Sequence, residues 1–571
     1  MHSIISHLMK NAKNRSLVLT AFLLIGLALA LSSAAMIPAG CATGSQGGQP
    51  DLQSAQPGSA AGAPVPLAAE PGHQPSPPSL QAAACETTLT ILHVTDFHGA
   101  LLSEDKDFSS GKPVGGAAVV AAYVDAERRK AQGPVLVLGG GDMMQGSAIS
   151  NLSMGAAVID FMNEVGFDAC AIGNHEFDWG VGVLKARMKQ ASFPFLAANI
   201  FSGGETKRAE WALPYAIVLK GNLKVGIIGI ITEDAPVVIN PKSIEGLKFV
   251  PPSQIVNSIA GELRKEGAKV VVVLAHIGGS QEKDGKVTGP IADLASKLVG
   301  VDAVLGGHSH TVVSGTVNSL PVMISGANGI RLGVMHLRVD ACKGGSSLID
   351  ENVQSTFAEA VEPNKAVAGI VESFRKKYAA QLDKTIGVAT EPITRGRGEG
   401  ALGNLICDIM RDAVDAQISF ENSGGIRVDL DKGPITGGIV YRMLPFDNTI
   451  VTMYLTGKQV KEALEEGTGE RSLVQSSGLH YTYKPSDPQG QRIKSISLEN
   501  GEPISPAKLY LVATNDFMAN GGDRFTVFKE GTKIKNTQIL LRDAVISWIE
   551  ARQAANQEIS PPKLGRAEPV N

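Results

Sequence analysis

The sequence predicts an α/β fold in two parts, a layered α/β domain followed by a less regular α+β domain. Three observations carry that expectation. At 571 residues, 43% of them hydrophobic and 19% charged, the chain exceeds what one core usually organises, so two folded domains follow. From Thr88 short apolar runs alternate with amphipathic stretches, the pattern of buried strands linked by helices. Polar residues able to bind metal recur where five of these runs end, the usual place of sites in α/β sheets.

The elements can be justified in chain order. Lys10, Lys13 and Arg15 precede an apolar run over 17–31 followed by small residues, the pattern of a secretory signal over residues 1–40. The run ends in Ile37-Pro38-Ala39-Gly40-Cys41, similar to a bacterial lipoprotein box, which predicts an exported protein of the periplasm or cell envelope with a lipid anchor on Cys41. Cleavage near Ser33-Ala34-Ala35, or an uncleaved membrane anchor, would also fit. Residues 41–87, rich in Gly, Ala, Ser, Gln and Pro, read as a low-complexity tether. The five cysteines are scattered without a CxxC pair, so spacing reveals neither a disulfide framework nor a thiolate metal site.

Over 88–354 the runs TLTILHVTD, PVLVLGGGD, DACAIGN, LKVGIIGIIT, AKVVVVLAH and VDAVLGGHSH read as strands, with helices expected over 114–130, 155–165, 180–190, 252–265 and 291–299. A linker over 355–384 includes a charged helix from 363 to 384. The second domain, 385–553, shows helices near 402–413 and 543–552 and strands near 418–421, 450–455 and 509–513. Residues 554–571 read as a flexible tail. The net charge of -4 argues against nucleic-acid binding by bulk electrostatics, so any anionic substrate must be held by a local cluster.

The strand ends supply that cluster. Asp96 and His98, Asp142, Asn174 beside His175, His276, and His308 with His310 occur in this order. Without His175 they make seven candidate ligands, enough for two divalent ions such as Zn²⁺ or Mn²⁺. Each element alone is commonplace; together, on one sheet, they point to a metal centre. His93 falls inside the first strand and is expected to be packed.

The segments Asp96-Phe97-His98-Gly99, Gly140-Gly141-Asp142, Gly173-Asn174-His175-Glu176-Phe177-Asp178, Ala275-His276 and Gly306-Gly307-His308-Ser309-His310 resemble the calcineurin-like metallophosphoesterases, and among them the bacterial UDP-sugar hydrolase/5'-nucleotidase family. The resemblance spans Thr88 to about Arg552. It implies a four-layer α/β/β/α metallophosphoesterase sandwich and a C-terminal α+β nucleotide-recognition domain. It also implies that Asp96, His98 and His310 hold one metal and Asn174, His276 and His308 the other, with Asp142 bridging. Thr95 departs from an asparagine common before the first aspartate. Two metals then support in-line hydrolysis of a phosphate ester by activated water. His175 with Asp178 is implied as a dyad that stabilises phosphoryl charge or protonates the leaving oxygen.

In the second domain, Thr394-Arg395-Gly396-Arg397 and Asn422-Ser423-Gly424-Gly425-Ile426-Arg427 are glycine-rich arginine loops able to fork a phosphate. The resemblance implies that Arg427, with Arg395 or Arg397, clamps phosphate. It further implies that Phe446 and Phe517 sandwich a base, Asp523 binds ribose hydroxyls and Asn448 reads a base edge. The activity so implied is hydrolysis of nucleoside 5'-monophosphates. Cyclic nucleotides, UDP-sugars or a thiosulfonate are alternative substrates of the same site, and a surface lipoprotein that binds metal or nucleoside without turnover is an alternative of another class.

Overall fold

The structure, a computed structural model, describes residues 85–570 apart from 108, 204–206, 397 and 470–472. The leader, Cys41, nearly all of the tether and Arg397 lie outside the described residues.

Two six-stranded sheets form the first domain. One has the order Ser346–Ser355, Arg331–Asp340, Glu86–Val94, Val135–Gly139, Ala169–Ala171, Phe195–Leu196; the other Val312–Val317, Leu320–Ser325, Ala303–Gly306, Val270–His276, Leu223–Ile231, Tyr215–Lys220. Their central strands are apolar throughout because both faces are covered; all seven residues of Val270–His276 are buried. The two-residue period divides each strand between two cores. In Glu86–Val94, Leu89 and Ile91 pack between the sheets, whereas Leu92 and Val94 face the layer containing Ala117–Lys130, Ala156–Val165 and Gly180–Gln190. Helices Ser253–Lys265 and Pro290–Ala295 cover the second sheet through Val256, Ile259, Leu263 and Ile291. The result is the four-layer α/β/β/α arrangement. His93 is packed between the sheets, with Nδ1 2.7 Å from Oγ of Ser325, and burial lowers it to about 3, which keeps it neutral.

Helix Lys365–Leu382 connects the domains, capped by Asn364 on the N–H groups of Ala366 and Val367. The second domain is built on a five-stranded sheet in the order Gln475–Ser477, Ile418–Glu421, Leu509–Asn515, Thr449–Thr456, Thr532–Leu540, with separate apolar clusters on its two faces.

Two expectations need correction. The segment expected as a flexible tail, 554–571, is ordered over its described residues, 554–570: Ile559 is 2% exposed, Arg566 grips both carboxylate oxygens of Asp408 at 2.8 and 2.7 Å, and Ala567–Pro569 pairs in parallel with Leu479–Tyr483. Backbone pairing and a bidentate ion pair order a segment that has little apolar content. The tether also ends sooner, at Cys85, which forms a disulfide with Cys342. Glu86 pairs with Asp340 across the first sheet, and this register brings the two thiols together. Among the described residues no helix is long and apolar enough to cross a membrane.

Candidate metal centre and active site

All seven predicted ligands converge at the ends of strands in the first domain. Asp96, His98 and His310 form one group of donor atoms and Asp142, His276 and His308 a second. Asn174 joins the second group, its Oδ1 lying 3.1 Å from His276 Nε2 and 2.9 Å from His308 Nδ1. Asp142 Oδ2 is 3.1 Å from His276 Nε2, Asp96 Oδ1 is 3.5 Å from His310 Nε2, and the Nε2 atoms of His98 and His310 are 2.9 Å apart.

The chemistry of this donor set suits divalent cations. His98 Nδ1 donates to the carbonyl of Gln145 at 2.9 Å and His276 Nδ1 to that of Gly140 at 2.8 Å. Each bond fixes a tautomer that turns the Nε2 lone pair inward, the arrangement usual for metal-binding histidine. With the imidazoles neutral, lone pairs of imidazole, carboxylate and amide point at one another, a clash that a cation between them relieves, as does a proton on His276 Nε2 facing Asp142 Oδ2 at 3.1 Å. The ionisation follows the same logic. Burial pushes Asp96 up to about 7 and lowers His308 and His310 to about 4; burial would lower His276 as well, but the Asp142 carboxylate outweighs it and raises that imidazole.

Backbone strain marks the same residues. Asp96, His98, Asp142, His308 and His310 all have φ between 49° and 72°, a region costly for residues with a side chain and concentrated at functional sites. The neighbours that sustain it were not evident from the sequence. Glu176, fully buried, accepts the N–H groups of Asp142, Met143 and Gly173 at 2.8, 2.8 and 2.7 Å, clamping the loop that carries Asp142 to the one that carries Asn174. Its place inside Gly173-Asn174-His175-Glu176 was the available signal. Thr95, the departure from the family pattern, donates to Asp96 Oδ2 at 2.7 Å.

His175 is not among the converging ligands. Its Nδ1 lies 2.8 Å from Asp178 Oδ2, and its ring stacks on Phe446 of the second domain with centroids 5.6 Å apart. Burial would lower this imidazole, but the carboxylates of Asp178 and Asp142 raise it on balance, which favours its protonated form.

A cavity of about 320 Å³ runs from this cluster into the second domain. Asp142, Asn174, His175, Asp178, His308 and His310 line one part of it, and Arg427, Phe446, Asn448, Phe517 and Asp523 another. The ring of Phe517 lies against Gly522, where an added Cβ would come within 2.4 Å of it, so glycine there is what lets the ring take this position. Arg542, 5% exposed, braces the Phe446 loop, bonding the carbonyl of Leu444 at 3.2 Å and the carboxylate of Asp447 at 2.5 Å. Asp523, at φ 51°, accepts from Asn422 Nδ2 at 2.8 Å; Asn422 Oδ1 accepts from Asn515 at 2.9 Å, and Asn515 also donates to buried Glu421 at 3.0 Å. Asn422 stood in the sequence only as the start of the Arg427 loop, and none of these supporting residues was given a role there.

Arg395 is brought to the same loop but not to this cavity. Its Nε bonds Asp429 at 3.0 Å and its Nη1 the carbonyl of Arg427 at 2.5 Å, so it props the loop of Arg427 and lines a neighbouring cavity of about 540 Å³. Arg427 has its guanidinium carbon 5.9 Å from the Phe446 ring.

Residues 384–530 match the family model of the 5'-nucleotidase C-terminal domain, and residues 135–319 match that of the bacterial capsule synthesis protein PGA_cap. A 5'-nucleotidase of Bos taurus is 31% identical over 80% of this chain and 87% of its own length. The chain belongs to the 5'-nucleotidase family. The crystal structure of a 5'-nucleotidase precursor from Thermus thermophilus superposes with a TM-score of 0.73 at 31% identity, covering 85% of this chain and all of that one. A cell wall protein of Listeria monocytogenes is 28% identical over 85% of this chain and 70% of its own. Membership makes the chain a metal-dependent hydrolase of the 5'-nucleotidase type.

Proposed function

We propose that the protein is an exported two-metal phosphoesterase that hydrolyses nucleoside 5'-monophosphates to nucleoside and phosphate. The observation that carries this reading is the one cavity in which Asp142, Asn174, His308 and His310, four of the seven candidate donors, meet the His175–Asp178 pair, Arg427, and the Phe446, Phe517 and Asp523 set.

In this reading Asp96, His98 and His310 would hold one divalent ion and Asn174, His276 and His308 the other, and Asp142 would serve both. Such a pair supplies activation of water and neutralisation of phosphoryl charge. Arg427 forks the non-bridging oxygens and fixes phosphorus in line for attack. A bond from the water oxygen to phosphorus forms as the bond to the 5'-oxygen breaks. Asp178 holds Nδ1–H of His175, leaving Nε2–H to stabilise the phosphoryl oxygens or pass its proton to the departing 5'-oxygen. Phe446 and Phe517 hold the base, Asn448 reads its edge, and Asp523 accepts from ribose hydroxyls.

Export is supported by the leader sequence and by the Cys85–Cys342 disulfide, a bond that persists in oxidising compartments. Cys41 is the proposed lipid-bearing residue, testable by mass spectrometry of the mature N-terminus. The neighbouring cavity of about 540 Å³, which reaches His98 and His310 and shares Arg427, favours a second reading in which the phosphoryl group carries a larger substituent, as in UDP-sugars. One panel tests both: chromatographic product analysis after incubation with nucleoside monophosphates (nucleoside and phosphate), 2',3'-cyclic nucleotides (the ring-opened monophosphate), UDP-glucose (UMP and glucose 1-phosphate) and an aryl phosphate, using metal-stripped protein with Mn²⁺, Zn²⁺ or Mg²⁺ restored. Preference for 5'-monophosphates is expected, and equal turnover of all esters would overturn the nucleotide reading.

A further inference from the structure

Phe446 and Phe517 come from the second domain, but the first domain contributes to the same cavity through Trp179, Val238 and Asn240. Trp179 directly follows Asp178 and caps the helix Gly180–Gln190, whose first residue, Gly180, turns away at φ 78°. The indole is partly buried, packing in part on the core while it also lines the cavity.

The other two tryptophans are engaged elsewhere. Trp211 meets Phe177 edge-on at 6.3 Å and Lys185 at 5.4 Å; Trp548 lies beneath Arg552 at 4.6 Å. Trp179 has no ring, cation or hydrogen-bond partner among the described residues, so a large amphipathic ring with a free N–H donor stands at the cavity wall. Indoles of that kind usually place the apolar body against a partner and give the N–H an acceptor.

The wall is tied to the nucleoside side. Asn240 Nδ2 donates to Asp516 Oδ2 at 3.0 Å, and Asp516 Oδ1 accepts from the Thr449 N–H at 3.0 Å. Asp516 precedes Phe517 and Thr449 follows Asn448, so one carboxylate links the first-domain loop to the flanks of both.

We propose that Trp179 is a specificity-determining residue whose indole contacts the nucleoside of the substrate from the metal-binding domain, adding a third ring to the Phe446 and Phe517 pair. This rests on the nucleotide reading above. The substrates it favours are phosphate esters carrying a flat heterocycle, over esters of small alcohols.

The test combines kinetics and fluorescence on the metal-loaded full chain. Trp179→Leu should lower kcat/KM for AMP by roughly fivefold to somewhat more than a hundredfold, the scale of one base–aromatic contact. Phosphate release from glycerol phosphate should stay within about twofold, as no stacking energy is at stake. Adenosine should change the intrinsic fluorescence of the wild type saturably, and Trp179→Phe, which keeps an aromatic ring, should abolish that change although Trp211 and Trp548 remain. A wild type that does not prefer AMP overturns the nucleotide reading and this proposal with it. If AMP is preferred but the Leu variant keeps its AMP kinetics, or loses both substrates equally, or if the adenosine signal survives in Trp179→Phe, the assignment of Trp179 alone is overturned.

Discussion

The imidazole of His175 and the ring of Phe446 stack with planes 24° apart and centroids separated by 5.6 Å, a contact that joins the proposed proton-handling group to the proposed base-binding ring across two domains. His175 also touches the metal cluster without belonging to it, its backbone N–H bonding Asp142 Oδ1 at 2.8 Å. Side chain and backbone therefore have separable duties. His175→Ala should keep metal content while lowering kcat by roughly 10²- to 10⁴-fold, the range for a general acid–base group. Metal analysis of the purified variant decides the point, because a fall in stoichiometry would reassign His175 as a ligand.

Asp142 is the residue on which the proposed metal binding and the loop geometry meet. One carboxylate oxygen accepts the His175 N–H at 2.8 Å and the other lies 3.1 Å from His276 Nε2. Asp142→Ala should abolish hydrolysis of every substrate in the panel and reduce bound metal. Wild-type activity should disappear on chelation and return with divalent cation. Hydrolysis that resists exhaustive chelation would defeat the two-metal mechanism.

The convergence of the candidate metal ligands was legible in the sequence because the chemistry restricts residue type and the α/β fold restricts position: Asp96, Asp142 and His276 each stand where an apolar run stops. The residues that hold Asp523 through Asn422 were not legible. Glu421 and Asn515 are brought together by parallel pairing of strands, Ile418 opposite Val512 and Ser419 opposite Ala513, and nothing local distinguishes Glu421 from any acid at a strand end. The Cys85–Cys342 bond spans 257 positions and depends on sheet register. Residues 555–570 misled for a related reason, since Arg566 and the strand Ala567–Pro569 find their partners over 80 residues away, in Asp408 and Leu479–Tyr483.

Glu421 offers a prediction about stability. It is fully buried, and burial raises its carboxyl from 4.5 to about 8, with the Asn515 bond opposing and the charge of Asp523 adding to the rise. Because the folded value exceeds the unfolded one, the native state keeps a proton that the unfolded chain loses between about pH 4.5 and 8. Stability of the wild type should therefore fall across that window relative to Glu421→Gln, which does not titrate. The difference should be small near pH 4.5 and reach on the order of a few kcal/mol in favour of the variant by pH 8. Denaturant melts of both proteins at several pH values check this; a difference independent of pH would mean that Glu421 does not change protonation on folding in this range.

The prediction that best separates a nucleotidase from a general phosphatase concerns Phe517. Its ring rests on Gly522 and lines the cavity that reaches His175 and Arg427, yet it contributes no ligand to the metal cluster. Stacking acts on the base alone, so its removal should be felt only by substrates that have one. Base–aromatic stacking contributes roughly 1 to 3 kcal/mol by alanine substitution, and about 1.4 kcal/mol corresponds to a tenfold change. Phe517→Ala should therefore lower kcat/KM for AMP by roughly fivefold to somewhat more than a hundredfold. Glycerol phosphate, which has no ring to sandwich, should be hydrolysed nearly as well as by the wild type. Phe517 also packs on the second-domain core, and damage to the fold on truncation is distinguishable, because both substrates would then lose activity together. A loss confined to AMP assigns the ring to the base, whereas an equal loss assigns it to the core and removes the main support for a nucleoside site.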